Sequence, residues 1–160
     1  GPVTVTDPDM TRFIMTLSEA VQLVLGAVFW AKGGEVFVTK MPVIRIEDLA
    51  IAMVEVLAPV YGHDPEEVKI EIVGHRPGEK LYEELVNEEE VRRTIELERH
   101  FVVLPALRQL YQTAVHEYEG QLPGEVTMAY NSSVEPAMSR DRLRTYLREN
   151  GLLNPETVQS

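Results

Sequence analysis

The sequence predicts an α/β or α+β fold, because short segments that alternate like β-strands are separated by segments with helical spacing. The clearest helix covers residues 46–57, whose apolar side chains recur three and four positions apart (Ile46, Leu49, Met53, Val54 and Leu57). The clearest strand covers residues 68–73, where apolar and charged residues alternate. A chain of 160 residues is long enough to bury a core, and we expect one domain over residues 1–160.

The first thirty residues predict a strand followed by a helix. β-branched residues alternate over residues 1–7, and Asp7-Pro8-Asp9 then reads as a turn rather than as a pair of catalytic carboxylates. Thr16 and Glu19 form a capping-box pattern for a helix to about Phe29. This helix carries one apolar face, made of Leu17, Val21, Val24, Leu25 and Val28.

The middle of the chain predicts further short elements. Gly33-Gly34 stops the first helix, and residues 35–39 predict a compact, buried strand, which we expect to be parallel. Asp64-Pro65-Glu66-Glu67 is typical of a helix entry with proline in the first turn. Residues 81–86 have the apolar spacing of a short helix, and Glu88-Glu89-Glu90 predicts a solvated helix face.

The last third gives weaker signals. Residues 94–99 are expected to be helical or irregular, and residues 100–105 predict a strand stopped by proline. A helix is possible over residues 107–119, and residues 129–133 predict an exposed polar turn. Ser139 is expected to cap a final helix that stops at Gly151.

Charge and composition exclude several classes of partner and site. The formal net charge of −11 disfavours binding to nucleic acid or to an anionic membrane, because both demand clustered Lys and Arg. Without cysteine there is no disulfide framework, no thiolate metal site and no cysteine nucleophile. No apolar run reaches the roughly 20 residues that span a bilayer, and no secretory signal opens the chain, so we expect a cytoplasmic setting.

The stretch from Gly74 to Val86 is the strongest candidate for a binding site. Pro77 fixes its own φ and favours an extended conformation at Arg76, while Gly78 permits a sharp turn. A guanidinium presented in this way suits a phosphate or a carboxylate. The alternative is a surface ion pair between Arg76 and Glu79 or Glu83.

The sequence contains no other motif for phosphate binding, metal binding or catalysis. It contains neither G-x-G-x-x-G nor G-x-x-x-x-G-K-[ST], so no glycine-rich phosphate cradle is expected. The four histidines lack metal-like spacing, and we expect His75 to be a loop residue that faces solvent. No residue has the surroundings of a nucleophile or a general base.

Three stretches together resemble one family. They are Pro2 to Asp7 with Met10-Thr11-Arg12-Phe13, Gly34 to Val38 with Lys40-Met41-Pro42, and Arg76 to Leu85. The chain is similar to the C-terminal part of nucleotide-sugar dehydratases of the extended short-chain dehydrogenase/reductase superfamily, nearest to UDP-N-acetylglucosamine 4,6-dehydratases of polysaccharide biosynthesis.

The resemblance implies a substrate-binding portion of a Rossmann-type enzyme, without its N-terminal nucleotide-binding half. The complete enzyme would bind NADP in that half, oxidise the sugar at C4, lose water across C5–C6 and form a 4-keto-6-deoxy sugar. No tyrosine here has a lysine four residues later, so the family's Tyr-x-x-x-Lys pair is absent. We therefore expect no catalysis and no cofactor binding by this chain alone.

The same resemblance implies roles for five residues. Pro2 and Val3 resemble the strand that lies against uracil, and Glu79 resembles the acid that contacts the ribose. Arg12 and Arg76 resemble the arginines that hold the diphosphate. For Arg12 the alternative is an ion pair with Asp7 or Asp9.

Expected partners are a UDP-sugar, the N-terminal Rossmann half and a second copy of the chain. Without the Rossmann half, strand edges and apolar faces would be exposed, with residues 35–39 the most exposed element. Two alternative functions stay open. One is the same portion of a UDP-sugar epimerase or reductase, and the other is a non-catalytic binding or oligomerisation module.

Overall fold

The computed structural model describes residues 1–107 and 115–153. Within these ranges the strands are β1 (Val3–Val5), β2 (Thr11–Phe13), β3 (Val36–Thr39), β4 (Val43–Arg45), β5 (Ile70–Ile72), β6 (Glu84–Val86), β7 (Thr94–Glu96), β8 (His100–Val103) and β9 (Tyr130–Asn131). The α-helices are α1 (Leu17–Trp30), α2 (Ile46–Val60), α3 (Glu88–Val91) and α4 (Arg140–Glu149). The mixed α/β class predicted from the sequence is confirmed.

The chain divides into two compact units. The first contains residues 1–14, residues 42–83 and the segment from Glu135 onward, and the second contains residues 15–41 and 84–134. The expectation of one domain stays a prediction.

The first unit is built on two strand pairs. β1 pairs in parallel with β5, with Val3 opposite Ile70 and Val5 opposite Ile72. β2 pairs antiparallel with β4, with Phe13 opposite Val43. The strand predicted over residues 68–73 is therefore confirmed as β5, preceded by a single 3₁₀ turn over Pro65–Glu67 that Asp64 caps.

Helices α2 and α4 enclose the core of the first unit. The helix predicted over residues 46–57 is confirmed, and three small residues on α2 (Ala50, Ala52 and Ala58) are buried. The fully buried side chains of Ile44 and Leu143 belong to one apolar cluster with Ala52, Leu147 and Leu153. Ser139 caps α4 as predicted, and Arg144 of α4 forms an ion pair of 2.8 Å with Glu55 of α2.

The second unit contains a three-stranded antiparallel sheet in the order β3-β8-β7. The expectation that residues 35–39 form a parallel strand was wrong, because β3 runs antiparallel to β8, with Val36 opposite Val103. Strand direction depends on the partner, and alternation within the strand carries no information about it. Residues 94–99 do contain a strand, β7, rather than a helix.

Two further expectations about the second unit were wrong. Residues 84–86 form strand β6 instead of the end of a helix, and they pair with β9. Residues 129–133 are not an exposed turn, because Tyr130 and Ser132 are buried. Both errors come from the β6–β9 pairing, a long-range contact that overrides local spacing. The helix considered over residues 107–119 lies largely outside the described residues.

Helix α1 begins as predicted but buries none of its residues. Thr16 accepts a hydrogen bond from the backbone N–H of Glu19, and the Glu19 carboxylate accepts one in return from the backbone N–H of Thr16. The predicted apolar face of α1 is exposed, from 48% at Val21 to 82% at Leu17. Among the described residues of the second unit, this face, rather than β3, is the most exposed apolar element.

The segment after α1 is held by a buried carboxylate. The Glu35 side chain is 1% exposed, accepts hydrogen bonds from the backbone N–H groups of Lys32 and Gly33, and lies 3.4 Å from Nε2 of His116. Burial works against ionisation of Glu35. Hydrogen bonds from the backbone N–H groups of Lys32, Glu35 and Gly33 outweigh it, so the pKa of Glu35 lies below its ordinary value.

We expect Glu35→Gln to lower the free energy of unfolding by about 1–3 kcal/mol at pH 7, because an amide replaces a charged acceptor of two backbone N–H groups. Since the folded-state pKa is lowered, the contribution of Glu35 is complete above its ordinary value and disappears as the pH falls through the folded-state pKa. Urea unfolding at pH 7 and pH 4 measures both effects. The variant should lose less stability on acidification than the original chain, whereas exposed Glu125→Gln should match the original chain.

Candidate functional site

The two parallel strands end at the same edge of the first unit. Beyond β5, the backbone N–H of Val73 donates to the carbonyl of Val5, 2.9 Å away, so the chain leaves both strands side by side. Residues 6–10 follow β1 at this edge, and residues 74–83, the 74–83 loop, follow β5. Ligands of open α/β sheets bind beyond the carboxyl ends of parallel strands, which makes this edge the candidate site.

Two glycines and one carboxylate shape the 74–83 loop. Gly74 and Gly78 have φ values of 80° and 86°, a region that residues with a side chain rarely adopt. The Glu79 carboxylate accepts a 3.0 Å hydrogen bond from the backbone N–H of Arg76, and the backbone N–H of Glu79 donates to the carbonyl of Arg76. The side chain of Glu79 also accepts from the hydroxyl of Thr6 at 3.4 Å.

Arg76 is exposed at the tip of this turn. The alternative of a surface pair with Glu79 or Glu83 is not observed, since Glu79 contacts the backbone of Arg76 and not its guanidinium. Across the part of the chain that the structure describes, the Arg76 guanidinium has no ion pair or hydrogen bond. Its donors are therefore open to an anion that enters from solvent.

Arg12 has a different environment, although both arginines lie at this edge. Its Nη2 donates to the carbonyl of Lys80 at 2.7 Å, and its Nη1 donates to the carbonyls of Thr11 at 2.7 Å and Leu81 at 3.3 Å. Its Nε lies 4.0 Å from Glu83, so the acidic neighbour is Glu83 rather than Asp7 or Asp9. Among the described residues the Nε–H and one N–H of Nη2 accordingly make no hydrogen bond, whereas the other three N–H groups are committed to backbone carbonyls.

A side-chain contact that sequence reasoning missed also holds the loop. Nε2 of His75 lies 2.6 Å from Oδ2 of Asp7, whereas His75 was expected only to face solvent. The other carboxylate oxygen of Asp7 accepts from the backbone N–H of Asp9 at 2.7 Å, which confirms the predicted turn. No local signal could reveal the His75–Asp7 pair, because it depends on the parallel pairing of β1 and β5.

Pro2 and Val3 lie at the opposite end of β1. Val3 donates its backbone N–H to the carbonyl of Lys69 at 2.9 Å, so this donor is occupied by strand pairing. A strand rises about 3.3 Å per residue, which places Val3 about 10 Å from Thr6 along β1. The structure thus brings together Arg12, Arg76 and Glu79 but not Pro2 and Val3.

In the described residues, the parallel strands of the first unit lack the connection that is typical of dinucleotide-binding motifs. Among the described residues, β1 leads into β2 and β5 leads into β6, so neither parallel strand turns directly into an α-helix. A pyrophosphate cradle needs that strand–turn–helix connection. The described residues also contain no group of three His, Asp or Glu side chains placed to hold a metal ion.

The family follows from a match that contains all three sequence stretches. A family model described as polysaccharide biosynthesis protein matches residues 1–105. The chain belongs to this family. The family resemblance found from the sequence is therefore confirmed, and the 74–83 loop lies inside the matched region.

Individual relatives cover different shares of the chain. It is 47% identical over 149 residues to an uncharacterized membrane protein of Methanocaldococcus jannaschii, covering 93% of this chain and 41% of that protein. It is 33% identical over 157 residues to a UDP-glucose 4-epimerase of Rickettsia felis, covering 98% and 42%. It is 36% identical over 104 residues to a UDP-N-acetylglucosamine 4,6-dehydratase (inverting) of Campylobacter jejuni, covering 65% and 28%.

A solved structure supports the fold. Pen from Bacillus thuringiensis matches with a TM-score of 0.79 at 37% identity, covering 96% of this chain and 42% of that one. This polysaccharide biosynthesis chain thus spans about two fifths of the length of its M. jannaschii and R. felis relatives. None of the helices in the described ranges is long and apolar enough to cross a bilayer.

We expect Arg12→Ala to loosen the 74–83 loop, because the two hydrogen bonds from its charged guanidinium to the carbonyls of Lys80 and Leu81 are lost. Hydrogen exchange of peptides covering residues 74–83 should accelerate at least tenfold, with a stability loss of about 1–3 kcal/mol. Arg142→Ala, on the exposed surface of α4, removes the same charge and is the matched control. Unchanged exchange in the Arg12 variant would contradict the role of Arg12 as the support of this loop.

Proposed function

We propose that this chain is the UDP-sugar-binding part of a nucleotide-sugar 4,6-dehydratase that converts UDP-N-acetylglucosamine to a 4-keto-6-deoxy sugar, and that it is not catalytic alone. The observation that carries the proposal is the exposed Arg76, whose guanidinium has no partner among the described residues, on a loop fixed at the carboxyl edge of the parallel strands. The name of the C. jejuni relative supports this substrate and reaction.

The residues of this edge would divide the work of binding. Arg76 would pair with a phosphate of the diphosphate, because its donors have no acceptor in the described ranges and charge-assisted hydrogen bonds are strong. Glu79 shapes the turn and would reach the ribose hydroxyls with a carboxylate oxygen. Arg12 would hold the loop and offer its two remaining N–H groups to the diphosphate. Pro2 and Val3, at the far end of β1, would face the base only if the nucleotide extends along this strand.

Other parts of the proposed reaction would not be supplied by this chain. NADP and the oxidation chemistry would come from residues outside this chain, in a Rossmann half that would be its partner. The cytoplasmic setting stays a prediction.

An epimerase is the second candidate, since the R. felis relative aligns with 98% of this chain. Mass spectrometry of the product formed from UDP-N-acetylglucosamine by a protein that carries this chain and a Rossmann half would separate the two. A dehydratase product has lost the mass of one water molecule, whereas an epimerised product has the mass of the substrate.

We expect Arg76→Ala to weaken UDP binding by about 10- to 100-fold, since a charge-assisted hydrogen bond contributes about 1.5–3 kcal/mol. Calorimetric titration of UDP into the chain and its variant measures this change. Arg148→Ala, an exposed arginine on α4, should leave the affinity unchanged. Equal affinities of the Arg76 variant and the original chain would refute an anion contact at Arg76.

The partner proposal includes a second copy of the chain, which would cover the apolar face of α1. Its five residues (Leu17, Val21, Val24, Leu25 and Val28) are each at least 48% exposed. Soluble monomers rarely expose contiguous apolar patches larger than a few hundred Å². Burying such side chains gains about 1.5–3 kcal/mol each, which favours self-association.

We expect the chain to dimerise and Val28→Glu to shift it toward monomer by at least tenfold in the dimer dissociation constant, because a carboxylate would be buried in an apolar contact. Sedimentation equilibrium measures this constant. Gln22→Glu adds the same charge to an exposed polar position of α1 and should change it little. A monodisperse monomer at high concentration of the original chain would exclude the contact.

A further inference from the structure

The second unit carries an open groove that the proposed UDP-sugar site does not use. Its volume is about 540 Å³, within the usual range for small-molecule sites. The end of α1 lines it with Phe29 and Trp30, the β7–β8 turn lines it with Arg99 and His100, and the segment around Glu117 closes it. No residue of the 74–83 loop contributes to this lining.

Trp30 forms a fixed aromatic surface in this groove. Its ring centroid lies 5.1 Å from that of His100 and 6.0 Å from that of Phe37, so two strands hold the indole in place. Trp30 nevertheless stays 40% exposed, and its neighbour Phe29 is 82% exposed. Rigid aromatic side chains supply contact area at a low entropic cost, which suits a flat ligand with an apolar face.

The charged residues around the aromatic surface include donors and acceptors. Lys32 and Arg99 line the groove with positive charge, while Glu98, Glu117 and Glu119 line it with negative charge. Within the described ranges none of these five side chains has a hydrogen bond or an ion pair. Each is therefore available to a ligand.

The net charge of the groove lining indicates which class of ligand the groove would bind. Burial, and then the positive charges of Arg99 and Lys40, lower the pKa of His100, so the ring is uncharged at neutral pH. Two positive and three negative side chains then leave the lining with a net charge of −1. A phosphate would meet repulsion, whereas hydroxyl groups can donate to the carboxylates and accept from Arg99 and Lys32.

We propose that this groove binds the pyranose ring of an uncharged sugar, with one face of the ring against Trp30 and its hydroxyls on Arg99 and Glu117. Membership of a polysaccharide biosynthesis family is consistent with such a ligand. The site is a second one, independent of the anion contact proposed for Arg76. It would recognise the hydroxyl groups of a sugar, and the ligand would need no nucleotide.

Trp30 is the only tryptophan of the chain, so its fluorescence reports on this groove alone. N-acetylglucosamine is the probe, and its 15 non-hydrogen atoms set an expected Kd of about 1 mM. We expect a saturable blue shift of the emission, because the sugar displaces water from the indole. Arg99→Ala and Glu117→Gln should each raise the Kd by about tenfold, since each removes a charged hydrogen-bond partner.

Matched controls keep the test specific. Arg148→Ala and Glu125→Gln make the same substitutions at exposed positions outside the groove and should leave the Kd unchanged. The proposal would be overturned if no saturable shift appeared at N-acetylglucosamine concentrations well above 1 mM. It would also be overturned if the groove variants bound the sugar with the same Kd as the original chain. A saturable shift with UMP and none with N-acetylglucosamine would also overturn it, because the groove would then recognise a nucleotide.

Discussion

The candidate site depends on the parallel pairing of β1 with β5. Parallel strands cannot be joined by a tight turn, so the chain between them is long enough to include β2, β4 and α2 of the first unit. The same pairing directs both strands to one edge, where the residues after β1 meet the 74–83 loop. The long-range contacts of this loop, such as His75–Asp7 and Arg12–Lys80, join it to residues that lie at the same edge.

Two arginines at one edge have opposite environments. Arg12 donates to the backbone carbonyls of Lys80 and Leu81 in the 74–83 loop, and these bonds satisfy acceptors that helices or strands would otherwise satisfy. Arg76 extends from the loop that Arg12 supports and has no acceptor among the described residues. Arg12 fixes the backbone of the loop, and Arg76 is exposed on it. This arrangement suits the binding of an anion, because a fixed backbone loses less entropy when a ligand binds.

The second unit exposes an apolar helix face and an aromatic side chain. Helix α1 is stabilised by its capping box and by the turn that Glu35 holds, yet it exposes its apolar face. At the end of the same helix, Trp30 packs on His100 and stays partly accessible. Apolar exposure on the helix face favours association between chains, while the mixture of aromatic and charged groups at its end suits a polar ligand with an apolar side.

Several elements of the fold were predictable from the local sequence. The capping box at Thr16 and the turn at Asp7-Pro8-Asp9 are correct from sequence because residues two or three apart make the contacts, and α2 is correct because its apolar spacing marks the face that packs in the core. Gly78 also has the positive φ that its position before Glu79 suggested. Arg76 was identified for the same reason, since Pro77 and Gly78 act on the adjacent backbone.

Tertiary structure decided what depends on distant partners. The antiparallel direction of β3, the strand character of residues 84–86 and the burial of Tyr130 all require a second strand from elsewhere in the chain. The environment of Arg12 is of this kind too, because two of its three carbonyl acceptors, those of Lys80 and Leu81, lie about seventy residues away. The sequence alone determined which residues are able to bind an anion, and only the fold decided which of them is free to do so, because free donors are those that folding leaves unpaired.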